Sequence, residues 1–388
     1  MLGTAYGASL SVTPLELAAL HFGKREIGSL AICFACGIIA MSVPAGALVR
    51  RFSARTTLVA SLVVYAAAVA LFPLQTTYAG TAIVRAFDGA SSVGVWVACE
   101  TVLLARSDRS NKAWVMSLYA MAIAIGYVLG SGVARALTIV TDYEHVFFAA
   151  SGIAIATCAL VATRLSRDAH VGAERDETPS SEGERTASLF WRIKTSCLAT
   201  FSYGYFQASV VLFLPLYLVE QKHVAERDTT LMTGLFAAGM LVFSPLAARL
   251  GDKLGHLRVM TALASIGVVM ILGFVFLSSW PLMCVAIFVA GATLASISPV
   301  SLALQGHVTP ARDYSRANAL YNACYAAGML LGPPISSAIM TSRGGPAMLY
   351  HFAVMWTAFV IATVVFARDD PRRVPLGDKS QRVSATIL

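Results

Sequence analysis

Tyr119–Gly130 reads YAMAIAIGYVLG, and Tyr321–Gly332, 202 residues further on, reads YNACYAAGMLLG. A tyrosine and two glycines return in step: Tyr119 with Tyr321, Gly126 with Gly328, Gly130 with Gly332. The same offset pairs Ser42 with Ser244, Leu48 with Leu250 and Gly89 with Gly291. A period of this length in a 388-residue chain means that one structural unit is present twice.

Composition says what the unit is made of. The chain is 57% apolar and 13% charged, with mean hydropathy +0.70, whereas a soluble domain carries roughly 25% charged residues. Apolar runs of roughly 20 residues recur, each long enough to cross about 30 Å of hydrocarbon as a helix. Twelve spans are expected. Six lie near Thr4–Phe22, Ile27–Val49, Thr56–Pro73, Tyr78–Ala105, Ala113–Ile139 and His145–Thr163; six more lie near Ile193–Val219, Thr230–Leu250, Leu257–Ser278, Pro281–Leu304, Ala317–Met340 and Ala347–Ala367. The offset lays each of the first six on one of the second six. The expected fold is an all-α membrane protein of twelve transmembrane helices in two six-helix bundles, residues 1–163 and 193–367, both termini cytoplasmic. Parallel repeats of this kind build transporters that rock one half against the other around a midplane site.

Lys and Arg set the orientation, because short cytoplasmic loops collect them. With both termini inside, only Lys24, Arg25, Arg135, Lys222, Arg227 and Arg343 of the 29 basic residues fall outside, and Arg85 alone lies within a span. The net charge of +8 is then topology and calls for no nucleic-acid partner. Residues 164–192, containing ERDETPSSEGERT, form a polar cytoplasmic linker, and 368–388 a similar tail. The first span begins almost at Met1 without the flanks of a signal peptide and is expected to be retained. All seven cysteines fall inside apolar runs, so neither a disulfide framework nor a metal site is implied.

Arg249–Arg258, RLGDKLGHLR, resembles the loop signature of the major facilitator superfamily, Gly-x-Leu-Ala-Asp-Arg-x-Gly-Arg-Arg, through Leu250, Asp252, Lys253, Gly255 and Arg258. The first-half copy, Gly46–Arg55, reads GALVRRFSAR: the acidic position is Arg50 and the second glycine is Ser53. The resemblance implies the fold of that family, with Arg50, Arg51, Arg55, Asp252, Lys253 and Arg258 in a cytoplasmic gate whose first-half lock is built differently or is weaker. It also implies that Glu100, near the cytoplasmic end of the fourth span, joins that gate. Proton-linked exporters of the family carry Gly-x-x-x-Gly-Pro-x-x-Gly-Gly in the fifth span. Here Gly126 and Gly130 stand without the proline, which has moved to Pro333 and Pro334 beside Gly328 and Gly332. These four glycines equally suit close helix packing.

Ile83–Glu100, IVRAFDGASSVGVWVACE, holds the intramembrane charges. A charge at that depth marks a functional site by default. Arg85 and Asp88 sit three apart on one helix, where opposite charges pair. Tyr6, Ser9, Thr13 and Glu16 form a polar stripe at helical spacing on the first span. The family resemblance places the first and fourth spans on the central cavity, so Glu16, Arg85 and Asp88 are expected to converge there. One carboxylate would carry a proton, or Arg85 would hold an anionic substrate group; a purely structural ion pair is the alternative. In the second half Tyr203, Gln207, Tyr321, Asn322 and Tyr325 offer aromatic faces with polar tips to the cavity. The positions 202 residues on from Arg85, Asp88 and Glu100 are Ile287, Ala290 and Leu302, so only the first half carries charge here. His351 is expected to be a buried neutral histidine.

Enzyme readings lack parts: there is no phosphate-binding loop and no zincin or serine-hydrolase pattern. The function expected is secondary transport of a small organic molecule, coupled to protons, by a monomer without cofactor or metal in a bacterial inner membrane. Export is favoured over import of a sugar or organic anion. A transporter-like sensor or scaffold without turnover is the rival of another class.

Overall fold

The computed structural model describes residues 1–105, 112–165, 186–309 and 314–367. Most of the expected linker, the C-terminal tail, Arg106 and Arg109 lie outside the described residues, as does the side chain of Arg50. Helices fill the rest. The first half contains α1 (Leu2–Ala19), α2 (Lys24–Phe52), α3 (Ala54–Leu71), α4 (Tyr78–Ala105), α5 (Lys112–Leu137) and α6 (Tyr143–Arg164). After the short α7 (Thr186–Arg192) come α8 (Lys194–Lys222), the single turn α9 (Glu226–Thr229), α10 (Leu231–Leu254) and α11 (His256–Phe276). The chain ends in α12 (Trp280–Ala290), α13 (Ile297–Val308), α14 (Tyr314–Arg343) and α15 (Gly345–Val365).

Eleven helices among the described residues are long and apolar enough to cross a membrane. α1, with its polar stripe, is not one of the eleven. Two expectations are corrected. Residues 186–192, read as linker, form α7, with Phe190 and Trp191 exposed on it. The tenth span, read as one helix, is interrupted at Gly291–Ala295 by a π-helical turn. Gly291, at the start of that turn, meets the α10 backbone at Phe236.

Local chemistry fixes where helices start and stop. Glu26 reaches back to the Gly23 amide at 2.8 Å and closes the start of α2. Lys222 donates to the carbonyls of Val275 and Leu277, at 2.7 Å each, at the end of α11. Both copies of the duplicated loop turn at one left-handed residue: Ser53 at φ 86 between α2 and α3, Gly255 at φ 98 between α10 and α11. Ser53 also accepts a hydrogen bond from the Thr56 amide at 3.3 Å.

Packing repeats as the sequence does. α2 crosses α4 where Gly37 faces Ala86 and Gly89 faces Phe34; α10 crosses α12 and the π turn where Gly239 faces Phe288 and Gly291 faces Phe236. At all four a Cβ would collide with a carbonyl of the opposing helix. α5 packs on α1 through Gly126 and Gly130, against Gly3, Thr4 and Gly7; α14 packs on α8 through Gly328 and Gly332, against Phe201 and Tyr205. Between the halves, α2 lies along α14, α5 along α10 and α1 along α8. The outward surface is apolar, with Val63, Val269, Phe276, Val354 and Val365 exposed.

Candidate functional site

Two cavities sit between the halves. The smaller, about 170 Å³, is lined by Tyr6, Ser9 and Thr13 of α1, Phe34 of α2, Phe72, Arg85, Asp88 and Trp96, with Gln207 of α8 and Tyr325 of α14 closing it from the other half. The larger, about 540 Å³, runs past Glu100, Tyr119 and Tyr127 to Tyr203, Gln207, Tyr321, Asn322 and Tyr325. Tyr127, Gln207 and Tyr325 line both.

The small chamber is built around one ion pair. Arg85 Nη1 donates to Asp88 Oδ2 at 2.7 Å; the Arg85 side chain is buried and that of Asp88 is mostly so, 14% exposed. Its guanidinium lies 4.5 Å from the centre of the Phe34 ring and 5.9 Å from that of Phe72, so aromatic faces hold a cation away from water. Gly37 and Gly89 bring α2 against α4 here, which is how Phe34 comes to stand beside Arg85. On α1, Thr13 Oγ1 donates to the Ser9 carbonyl at 2.8 Å, Ser9 Oγ donates to the Tyr6 carbonyl, and the Tyr6 ring stands 4.6 Å from that of Tyr65. The Tyr6 side chain is buried.

The second half contributes a tyrosine wall. Tyr203 and Tyr325 stack with centroids 6.1 Å apart, and Tyr325 donates to Gln207 Oε1 at 2.8 Å. The Tyr321 hydroxyl lies 2.9 Å from Ser301 Oγ and donates to the Ser298 carbonyl, tying α14 to α13.

Three expectations meet a different placement. Glu16 does not join Arg85 and Asp88: it is buried on α1 toward the start of α6, with Asp142 and Glu144 as its charged neighbours. Glu100, expected at the gate, lines the larger cavity instead and has no ion-pair partner among the described residues. Arg55 donates to the Ala162 carbonyl of α6, inside its own half, rather than to an acid. Of the other gate candidates, Arg51 lies over the Phe52 ring, Asp252 stands 3.6 Å from His256, and Lys253 and Arg258 are exposed. His351 Nε2 meets the Tyr205 hydroxyl at 2.7 Å, away from both cavities.

Sequence reading passed over Phe34, Phe72, Trp96 and Tyr127, because an aromatic residue in an apolar span carries no mark that separates lining from packing. It also passed over a set of contacts that join the halves on the face bearing the α1–α2 and α5–α6 turns. Lys24 Nζ reaches Glu220 Oε2 at 2.7 Å, Arg135 Nη2 reaches Asp228 Oδ1 at 2.7 Å, and the Tyr143 hydroxyl donates to Glu226.

The sequence profile of the Major Facilitator Superfamily matches the chain twice, over residues 1–195 and 196–387. YcaD of Escherichia coli (strain K12 / DH10B), named as an uncharacterized MFS-type transporter, is 24% identical over 332 residues, covering 85% of this chain and 84% of that protein. YcaD of Shigella flexneri is 24% identical over 335 residues with the same coverage. Among solved structures, the nucleoside transporter NupG superposes with TM-score 0.79 at 12% identity, covering 94% of this chain and 96% of that one. A bacterial homologue of the human lysosomal transporter Spinster, inward-facing and unoccupied, superposes with TM-score 0.73 at 13% identity, covering 94% and 92%. The family consists of membrane transporters of small molecules rather than enzymes. Matched by the family profile in both halves and sharing the fold of solved family transporters, the chain belongs to the major facilitator superfamily.

Proposed function

We propose that this protein is a proton-coupled secondary transporter of a small organic molecule, acting as a twelve-span monomer in a bacterial inner membrane with both termini in the cytoplasm. The observation that carries the reading is the buried Arg85–Asp88 pair in a cavity that Gln207 and Tyr325 of the other half close. A pair buried for stability alone would be as well served by apolar residues. Two charges facing an opening between two rocking halves are placed instead to change partners. Asp88 carries the proton in this reading, Arg85 binds substrate, and Tyr6, Ser9, Thr13, Tyr203, Tyr321 and Asn322 shape the cavity. On this topology the three cross-half contacts lie at the periplasmic face and support an inward-facing state.

Gly126 and Gly130 of α5, which stand without the proline of the exporter motif, are in contact with α1. They therefore lend export no further support. Uptake into proteoliposomes under an imposed proton gradient tests the function. Gradient-driven accumulation that is lost in Asp88→Asn, at unchanged expression, is the expected result. Binding without accumulation by the unaltered protein would identify a sensor instead.

A further inference from the structure

We propose that the central site takes an organic anion together with a proton, Arg85 holding the anion and Asp88 the proton. The inference rests on the small chamber being the substrate site and adds the chemical class. Among the described residues, Arg85 and Asp88 are the only charged ones that line it, and they face each other at 2.7 Å, so the charges of the chamber sum to zero.

The two partners are not equivalent. A guanidinium keeps its proton in a protein, whereas a carboxylate can take one up. A cation that entered to pair with Asp88 would leave two positive charges against one negative, and Arg85 has no means of relieving the excess. An anion that entered to pair with Arg85 would leave two negatives against one positive until Asp88 took up a proton; the charges then sum to zero. Uncompensated charge is costly in a site walled by aromatic rings. The chamber therefore admits an anion with a proton and resists a cation.

Geometry supports the same assignment. Arg85 gives one hydrogen bond to Asp88, and its planar fork suits two-point contact with a carboxylate. Phe34 and Phe72 hold the guanidinium in place. Tyr6 of α1 lines the same chamber. Within electrostatic reach of Asp88 are Tyr6 of α1, Tyr65 of α3 and Tyr127 of α5, and within reach of Arg85 are Tyr65 again and Cys33 of α2. All four side chains are ordinarily uncharged near neutral pH, so within the small chamber none competes for the role of Asp88; the other carboxylate, Glu100, lines the larger cavity, and the Asp88→Asn variant below separates the two. The larger cavity continues past Tyr127 into the stacked Tyr203 and Tyr325, and suits an apolar or aromatic body attached to the anion. Anion and proton enter from one side and travel together, so an inward proton gradient drives import.

The test uses the purified full chain and matched probes: 3-phenylpropanoate and indole-3-acetate, their uncharged amides, and the corresponding amines. Thermal midpoint reports binding, and a pH dye in lightly buffered solution reports proton uptake. The carboxylates alone should raise the midpoint, with about one proton taken up per anion bound. Arg85→Gln should abolish the rise and Arg85→Lys should weaken binding at least about tenfold. Asp88→Asn, which mimics the protonated acid, should bind the carboxylates without proton uptake, and its retained binding shows that the variant is folded. Carboxylates that leave the midpoint unmoved, amines or amides that raise it equally, or carboxylate binding without proton uptake would overturn the inference. Flux separates the two layers. Carboxylates that bind with a proton yet do not accumulate in proteoliposomes would leave this inference standing and remove transport; a transported amine would do the reverse.

Discussion

Arg85 depends on the Phe34 ring as well as on the Asp88 carboxylate. The ring centre is 4.5 Å away, and a desolvated cation–π contact is worth about 0.5–2 kcal/mol. Phe34→Leu, which keeps most of the volume, is therefore expected to weaken apparent affinity for the transported substrate about 2- to 30-fold at 1.4 kcal/mol per decade. Concentration dependence of uptake measures this, and wild-type affinity would assign the ring to packing. Glu16→Gln is expected to leave gradient-driven accumulation intact, because Glu16 lies outside the chamber beside Asp142 and Glu144. Loss of coupling in Glu16→Gln would show that a proton passes there. The contrast shows what sequence resolves at this scale. Pairing of Arg85 with Asp88 follows from i to i+3 spacing on one helix. Convergence of Glu16 with them follows only from placing the first span on the cavity, and that does not fix which way a side chain points around its helix.

Among the elements, the duplicated loops differ most in residue and least in shape. Ser53 holds φ 86 and ψ 153, a region that suits glycine, and Gly255 takes the equivalent turn in the second half. A non-glycine residue in such a conformation costs about 1–3 kcal/mol, and the Ser53 cap on α3 offsets part of that. Ser53→Gly should raise the thermal midpoint of the purified protein; an unchanged or lower midpoint would mean that the cap outweighs the strain. The glycine crossings carry the opposite prediction. Gly37→Ala and Gly239→Ala each place a Cβ against a carbonyl of the facing helix, with overpacking of about 1–3 kcal/mol. Gly273→Ala, which meets open space, serves as the neutral control. Midpoints lowered equally in all three would refute the crossing argument. Helix positions were legible from apolar runs, and α4 spans Tyr78–Ala105 as read. The π turn at Gly291–Ala295 was not, since one extra residue in a helix leaves the apolar run unbroken. The Gly37–Gly239 pair obeys the 202-residue offset, yet a glycine pair reads as a helix crossing only once the facing backbone is known.

At the scale of the whole molecule, Lys24–Glu220, Arg135–Asp228 and Tyr143–Glu226 join the two halves on one face. The basic-residue count that oriented the chain noted Lys24 and Arg135 merely as exceptions, because sequence gives no hint that helices 93 or 196 residues apart meet. These side chains are partly exposed, so each contact contributes about 0.2–1 kcal/mol and salt weakens it. Singly they decide little. Together they bias the two-state balance by up to about 3 kcal/mol, or roughly 150-fold, and by less to the extent that the Arg135 and Tyr143 contacts, which share the α9 turn, are coupled. Glu220→Gln, Glu226→Gln and Asp228→Asn combined should therefore move the resting population toward the state open on that face. Spin labels placed at Arg25 on α2 and Ser342 on α14, in a background cleared of reactive cysteines, would report a second, longer distance in the triple variant. Raising salt in the unaltered protein should move the distribution the same way by a smaller amount. A distribution unmoved by both would mean that close packing of α2 on α14, where Gly28 meets Ser337, closes this face without help from charge.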